Sequence, residues 1–242
     1  MGKEQDEYEK LLAAAGLAEL DVGPLPIIPK HLWAQIEEWL LSWKHADAIR
    51  EAGLQAPGGL LLHGPTGSGK TSLARAILSY MEGRSGAIME AHNVLTKGFG
   101  ESAQNIASGF KVAEMMDLLL VIEEIDALGI SRYGNEGSCA TEENKITITL
   151  MRHLEAAKIP IIATTNFKDS LDPALLRRFE QQLEVPSLDA AGRAIVLKKI
   201  LGKEPSPELV ALPLTESIRL AHRQRRNEFI AELEAKDAKK KR

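Results

Sequence analysis

Apolar positions along the chain follow two patterns. In the first fifty residues they recur at helical spacing. Tyr8, Leu11, Leu12 and Ala15 predict a short amphipathic helix ending near Gly16, and Leu32, Ile36, Trp39, Leu40 and Trp43 share one face of a 3.6-residue period in a second helix. Between them "VGPLPIIPK" breaks the chain with three prolines. From Gly59 the apolar residues come instead in short continuous runs, "GLLLH", "AIME", "LLLVI", "IIATT" and "QLEV", separated by helical segments. Such runs suit strands covered on both faces, which predicts an α/β core built on a mainly parallel sheet. After Leu188 the chain turns polar and helical through "DAAGRAIVLKKIL" and "TESIRLAHRQRRNEFIAELEAK", with "GKEPSPE" between them, and reads as a small helical appendage. The expected organisation is an N-terminal helix and linker over residues 1–25, a core over 26–187, and a short helical lid with a basic tail over 188–242.

Composition narrows the function classes. With 242 residues and 44% hydrophobic content the chain can bury a substantial core without staples. A formal net charge of -4 argues against a nucleic-acid partner, because phosphate contacts need a surplus of Lys and Arg on one face. The C-terminal "KDAKKKR" is read as a solvated tail, and the clustered Trp33, Trp39 and Trp43 as packing residues. Cys139 is the one cysteine, so no internal disulfide forms. The acidic, polar start "MGKEQDEYEK" and the lack of an 18-residue apolar window predict neither a secretory signal nor a membrane span, and a cytoplasmic location is expected.

Chemistry concentrates in "GPTGSGKT", which fits GxxxxGK[ST] directly after one apolar run and directly before the helix-forming "SLARAILSYM". Gly64, Gly67 and Gly69 let the backbone curl so that successive N–H groups from Gly64, Pro65, Thr66, Gly67, Ser68, Gly69, Lys70, Thr71 and Ser72, proline excepted, face a phosphate chain at a helix N-terminus. Lys70 would neutralise the β- and γ-phosphates, and the Thr71 hydroxyl would bind Mg²⁺. "LLLVIEEIDAL" supplies a second half: Glu123 to hold the metal's water shell and Glu124 to activate the attacking water.

With these motifs in order the chain resembles the AAA+ ATPases, P-loop NTPases, and within them the classical AAA group that includes proteasomal, membrane-protease and microtubule-severing ATPases. The likeness runs from about Gly53 to Lys199. "GLQAPGGLLLHGPTGSGKTSLARAI" looks like the family's phosphate-binding region, "EEIDALGISR" is similar to its metal-binding strand end, and "IIATTNFKDSLDPALLRRFE" to its sensor-1 and arginine-finger segment. The resemblance implies a three-layer core with a mainly parallel five-stranded sheet and a small C-terminal helical lid. It implies ATP and Mg²⁺ as ligands, Asn166 as the sensor-1 residue on the attacking water or γ-phosphate, and Arg177 and Arg178 as fingers reaching a neighbouring subunit's site. "TKGFGES" resembles the first pore loop, with Lys97 and Phe99 against a polypeptide. A homo-oligomeric ring, a hexamer, that remodels, unfolds or threads proteins, or serves a partner such as a protease, follows from the same resemblance.

Three departures keep other readings open. Glu123 stands where the family has Asp, and its carboxylate is longer by one C–C bond, roughly 1.5 Å, which motivates a slow nucleotide-dependent assembly switch. Gly98 takes the pore loop's aromatic position, moving the ring to Phe99. The lid is short, shows no sensor-2 arginine, and carries Arg219, Arg223, Arg225 and Arg226, which motivates a nucleic-acid helper of the helicase-loader or transposition type.

Overall fold

Six strands form one sheet in the order β1-β3-β4-β5-β2-β6: β1 (Leu17–Glu19), β2 (Gly59–His63), β3 (Gly86–Glu90), β4 (Leu119–Glu123), β5 (Ile161–Thr165) and β6 (Phe179–Glu184). The structure is a computed structural model and describes residues 2–95, 101–129 and 138–240. The helices of the sheet-bearing part are α1 (Gly2–Ala14), α2 (Lys30–Lys44), α3 (Ala46–Glu51), α4 (Lys70–Leu78), α5 (Ala91–Val94), α6 (Glu101–Met115), α7 (Ser138–Ala156) and α8 (Pro173–Leu176). The second part holds α9 (Ala190–Leu201), α10 (Pro207–Ala211) and α11 (Leu214–Lys240). The chain divides into two compact units, Met1–Val185 and Pro186–Arg242.

Alternation along the central strands builds a core on each face of the sheet. Leu61, Leu120 and Ile122 point to one side and pack with Ile106 and Phe110 of α6 and Leu150 and Leu154 of α7. Their neighbours Leu60, Leu62, Leu119 and Val121 point to the other, against Leu32, Ile36 and Trp39 of α2 and Leu73 and Ile77 of α4. Helices therefore cover both faces, which gives three layers and explains why these strands read as unbroken apolar runs. All neighbouring pairs from β3 to β6 are parallel, so the carboxyl ends of β2, β4 and β5 emerge side by side on one rim. In open α/β sheets that rim is where ligands bind.

The five strands expected from the apolar runs make up the parallel part, and β1 adds a sixth, antiparallel to β3 through Leu17↔Met89 and Glu19↔Ala87. Only Leu17 of its three residues is buried, too short a stretch to show an alternating pattern. The N-terminal segment is also part of the core: Leu12, Ala15 and Leu17 pack with Phe110 and Met89. Trp39, 1% exposed, donates its indole N–H to the carbonyl of Gly58 at 2.9 Å, and Trp43 shares that acceptor at 3.4 Å. Both rings thus pin α2 to the residue before β2, the strand that feeds the glycine-rich loop.

The second unit has its own small core of Leu197, Leu201, Leu209 and Ala221. Asp189 caps α9 by accepting from the Gly192 N–H at 2.7 Å, Ser206 caps α10, and Arg193 ties the two with hydrogen bonds to the carbonyls of Val210 and Leu188. No helix among the described residues is long and apolar enough to cross a membrane.

Candidate phosphate and metal site

The loop from Gly64 to Gly69 leaves β2 and turns into α4. It turns by using backbone conformations that side chains resist: φ is +146° at Gly64, +78° at Gly67 and +94° at Gly69, the N-cap of α4. Gly64 passes so close to the chain after β6 that a Cβ on it would meet the Val185 carbonyl oxygen at 2.3 Å. Gly64→Ala is therefore expected to destabilise the sheet unit by about 2–4 kcal/mol through combined backbone strain and overlap, lowering its melting temperature by several degrees in a thermal scan. An unchanged melting temperature would mean that the loop approaches β6 less closely than this.

Lys70 opens α4 and is only 8% exposed. Its ammonium spends all three protons at once, on the carbonyls of Gly64 at 2.9 Å and Pro65 at 3.0 Å and on Oδ1 of Asn166 at 2.7 Å. Burial holds the Lys70 pKa below the ordinary lysine value, with the Asp126 carboxylate pulling it back up. The next residue, Thr71, hydrogen-bonds Oε1 of Glu123 through its hydroxyl. The longer acid at the end of β4 thus reaches the threonine beside it in space. A hydroxyl and a carboxylate in contact are hard oxygen donors of the kind Mg²⁺ takes in ones and twos, leaving its other positions to water and phosphate. Among the described residues no group of three or more His, Cys, Asp or Glu forms a self-sufficient cation cage.

Ser68, 8% exposed, has a buried hydroxyl with no hydrogen-bond partner. Such an orphan in the glycine-rich loop, at the N-terminus of a nine-residue helix, fits a phosphate ligand.

Beyond Glu123, Glu124 is solvent-exposed and left-handed, at φ 51° and ψ 48°. Among the described residues only Asp117 shares that rarity outside glycine, and the conformation costs on the order of 1–2 kcal/mol. Next along the rim, β5 ends in Thr164 and Thr165, the latter 1% exposed, and Asn166 follows. A groove of about 870 Å³ adjoins this end, lined among others by His63, Pro65, Asn166, Lys168 and Glu184. His63 is held below its ordinary pKa by burial first and by Lys168 next, against the pull of Glu184 and Asp169, so near neutrality it is uncharged.

Residues 60–187, more than half of the chain, match the model of the family described as "ATPase family associated with various cellular activities (AAA)". The chain belongs to the AAA family. Among curated relatives it is 33% identical over 185 residues to the proteasome-activating nucleotidase of Thermococcus kodakarensis, covering 74% of this chain and 46% of the relative. It is 38% identical over 153 residues to 26S proteasome regulatory subunit 10B of Dictyostelium discoideum, 60% of this chain and 39% of that one. Subunit 6A of Saccharomyces cerevisiae gives 32% over 185 residues, 74% and 42% respectively. The chain spans less than half the length of these relatives.

Seen as an AAA chain, the sequence expectations divide into three groups. Lys70 is brought into contact with Asn166, and the adjacent Thr71 with Glu123. Arg177 and Arg178 are not: they precede β6, whose first residue Phe179 pairs with Gly59 at the start of β2. The glycine-rich loop follows the other end of β2, roughly 16 Å away at strand spacing. Arg177 is exposed with its Nε on the Pro173 carbonyl at 3.2 Å, and Arg178 is tied to Glu155 at 3.0 Å. Lys97 and Phe99 lie outside the described residues, as do Gly98 and Arg132. Sequence reasoning missed Asp126, Thr164 and Thr165. In "IIATT" the two threonines pass as ordinary β-formers, and Asp126 carries no signal until the fold sets β5 beside it.

Proposed function

We propose that this chain binds ATP with Mg²⁺ and hydrolyses it, and that it works as a ring, a hexamer, on polypeptides, in the cytoplasm and in company with a protease. One observation carries the first half: Lys70 and Thr71, Glu123, and Asn166, from three separate places in the sequence, are paired as Lys70–Asn166 and Thr71–Glu123 at the carboxyl ends of β2, β4 and β5. Family membership supports it, since AAA proteins are ATPases. In this reading the α4 N-terminus and Lys70 hold the β- and γ-phosphates, Thr71 and Glu123 hold the metal and its waters, and Asn166 and Glu124 address the attacking water. Mg²⁺ supplies charge neutralisation at the phosphates.

The second half rests on relatives whose names place them with the proteasome and on the arginines. The separation of Arg177 and Arg178 from this chain's own loop leaves a second copy as the site they could serve. Lys97 and Phe99 remain the proposed substrate contacts in a central channel. Of the four arginines that motivate the nucleic-acid reading, Arg225 is paired with Glu232.

Lys70→Met is the direct test of phosphate binding. It removes a charge-assisted contact worth about 1.5–3 kcal/mol, so the dissociation constant for ATP should rise roughly 10–150-fold, read by titration with a fluorescent ATP analogue. Affinity within twofold of wild type would rule out this loop as the phosphate site. Velocity sedimentation with and without ATP·Mg²⁺ reads the assembly: nucleotide-dependent growth to a discrete ring is expected, and a monomer under both conditions would overturn the ring.

A further inference from the structure

Two features of the rim are unexplained by phosphate or metal binding. Glu124 sits in a strained left-handed turn, and β5 buries two hydroxyls, Thr164 at 4% and Thr165 at 1% exposure, in its last two positions. Both hydroxyls are engaged with the Glu124 turn. The Glu124 N–H donates to Thr164 Oγ1 at 3.4 Å. Thr165 Oγ1 donates to Oδ1 of Asp126 at 2.5 Å and at the same time accepts from the Phe167 N–H at 2.9 Å. The residue between Thr165 and Phe167 is Asn166, whose Oδ1 holds the Lys70 ammonium. One hydroxyl therefore ties the turn that follows β4 to the turn that follows β5.

We infer that Thr165 and Asp126 are positioning residues, forming a clamp that fixes the Glu124 turn and the Asn166 turn as one rigid element. The inference rests on the ATPase reading for its consequence, since Glu124 and Asn166 are the groups proposed to address the water. It does not need that reading for its physical content, which is a mechanical coupling of two turns. A turn held at an unfavourable φ relaxes when its tethers are cut. Ile125, fully buried, anchors the turn to the core, and the Glu124 N–H and carbonyl are tied to Thr164 and Ala127. The hydroxyl bond to Asp126 adds the tether that joins this turn to the one after β5. Thr165 suits the task because its methyl group fills strand space while its oxygen both donates and accepts.

Thr165→Val keeps the shape and removes the oxygen. In the protein without nucleotide, amide exchange at Ala127, Leu128 and Gly129, whose N–H groups close the turn onto Glu124 and Ile125, should accelerate tenfold or more. Leu120 and Val121 in β4 should stay protected. With ATP·Mg²⁺, turnover should fall about 10–100-fold, the range for a lost hydrogen bond to a charged acceptor, while KM changes less than twofold. Thr165→Ser should restore both. Should the valine variant fail to fold, Asp126→Ala cuts the same bond from the other side, and faster exchange at Phe167 is the expected result. Wild-type exchange at Ala127–Gly129 in Thr165→Val, or at Phe167 in Asp126→Ala, would overturn the clamp whatever the turnover. A wild-type protein that hydrolyses no ATP would instead sink the ATPase reading, and the exchange data would still decide the clamp.

Discussion

Glu124→Gln is expected to lower ATP turnover by about 10²–10⁴-fold while ATP affinity stays within a few-fold of wild type. The amide matches the acid in size and keeps a hydrogen-bonding oxygen, but it cannot take a proton from water. Nothing in the binding half of the site depends on Glu124: Lys70 is satisfied by Gly64, Pro65 and Asn166, and Thr71 by Glu123. Glu124 is exposed at the mouth of the rim, one residue beyond the acid that contacts Thr71. Phosphate release in steady state, set against analogue binding, separates the two effects. Wild-type turnover in the glutamine variant would remove Glu124 from the chemistry and leave Glu123 as the base candidate. A parallel loss of binding would instead show that Glu124 holds the metal.

The metal question centres on Glu123. In the sequence its extra methylene threatens the geometry of the site. In the fold the side chain meets the Thr71 hydroxyl without leaving the end of β4, so the pair expected to share one cation is assembled with glutamate as it stands. This favours a working site over the slow-switch reading, because that reading drew its motive from a carboxylate set at the wrong distance.

Local sequence carried the fold wherever a run was long enough to show a period. Five strands, the α2 stripe with Trp39 and Trp43, and the loop between β2 and α4 all declare themselves within windows of five to fifteen residues. β1 does not, because three residues with one buried side chain look like any loop. Its assignment depends on β3, some seventy residues later in the sequence. The same limit governs the site. Lys70 and Thr71 are set by a contiguous motif, and Asn166 by the resemblance of its segment to the AAA family, whereas the Asp126–Thr165 contact spans 39 positions. Two hydroxyls in a β-branched run are invisible as polar groups until the turn after the neighbouring strand supplies their partners. Lys97 and Phe99 are legible in the sequence alone, since they fall outside the described residues.

The arginine pair yields the other large effect, and the fold makes its two members unequal. Arg178 is committed to Glu155 at 3.0 Å, and its buried Nε lacks a partner, so its removal chiefly disturbs the junction of α8 with β6. Arg177 is exposed and, among the described residues, is held by a single Nε contact with the Pro173 carbonyl. Its terminal guanidinium nitrogens are thus the ones available to a neighbouring copy. A guanidinium delivered to a phosphoryl group in this way accounts for about 10³–10⁵-fold in turnover. Arg177→Ala should therefore lose on the order of 10³-fold with ATP affinity and melting temperature unchanged, whereas Arg178→Ala should lower the melting temperature as well. The trans character has its own readout. Mixing Arg177→Ala with Lys70→Met, each impaired alone, should recover turnover at subsaturating ATP, because a mixed ring contains interfaces where an intact loop faces an intact Arg177. No recovery in mixtures shown by sedimentation to contain both variants would place Arg177 in service of its own chain's site, against the strand-length separation that the sheet imposes.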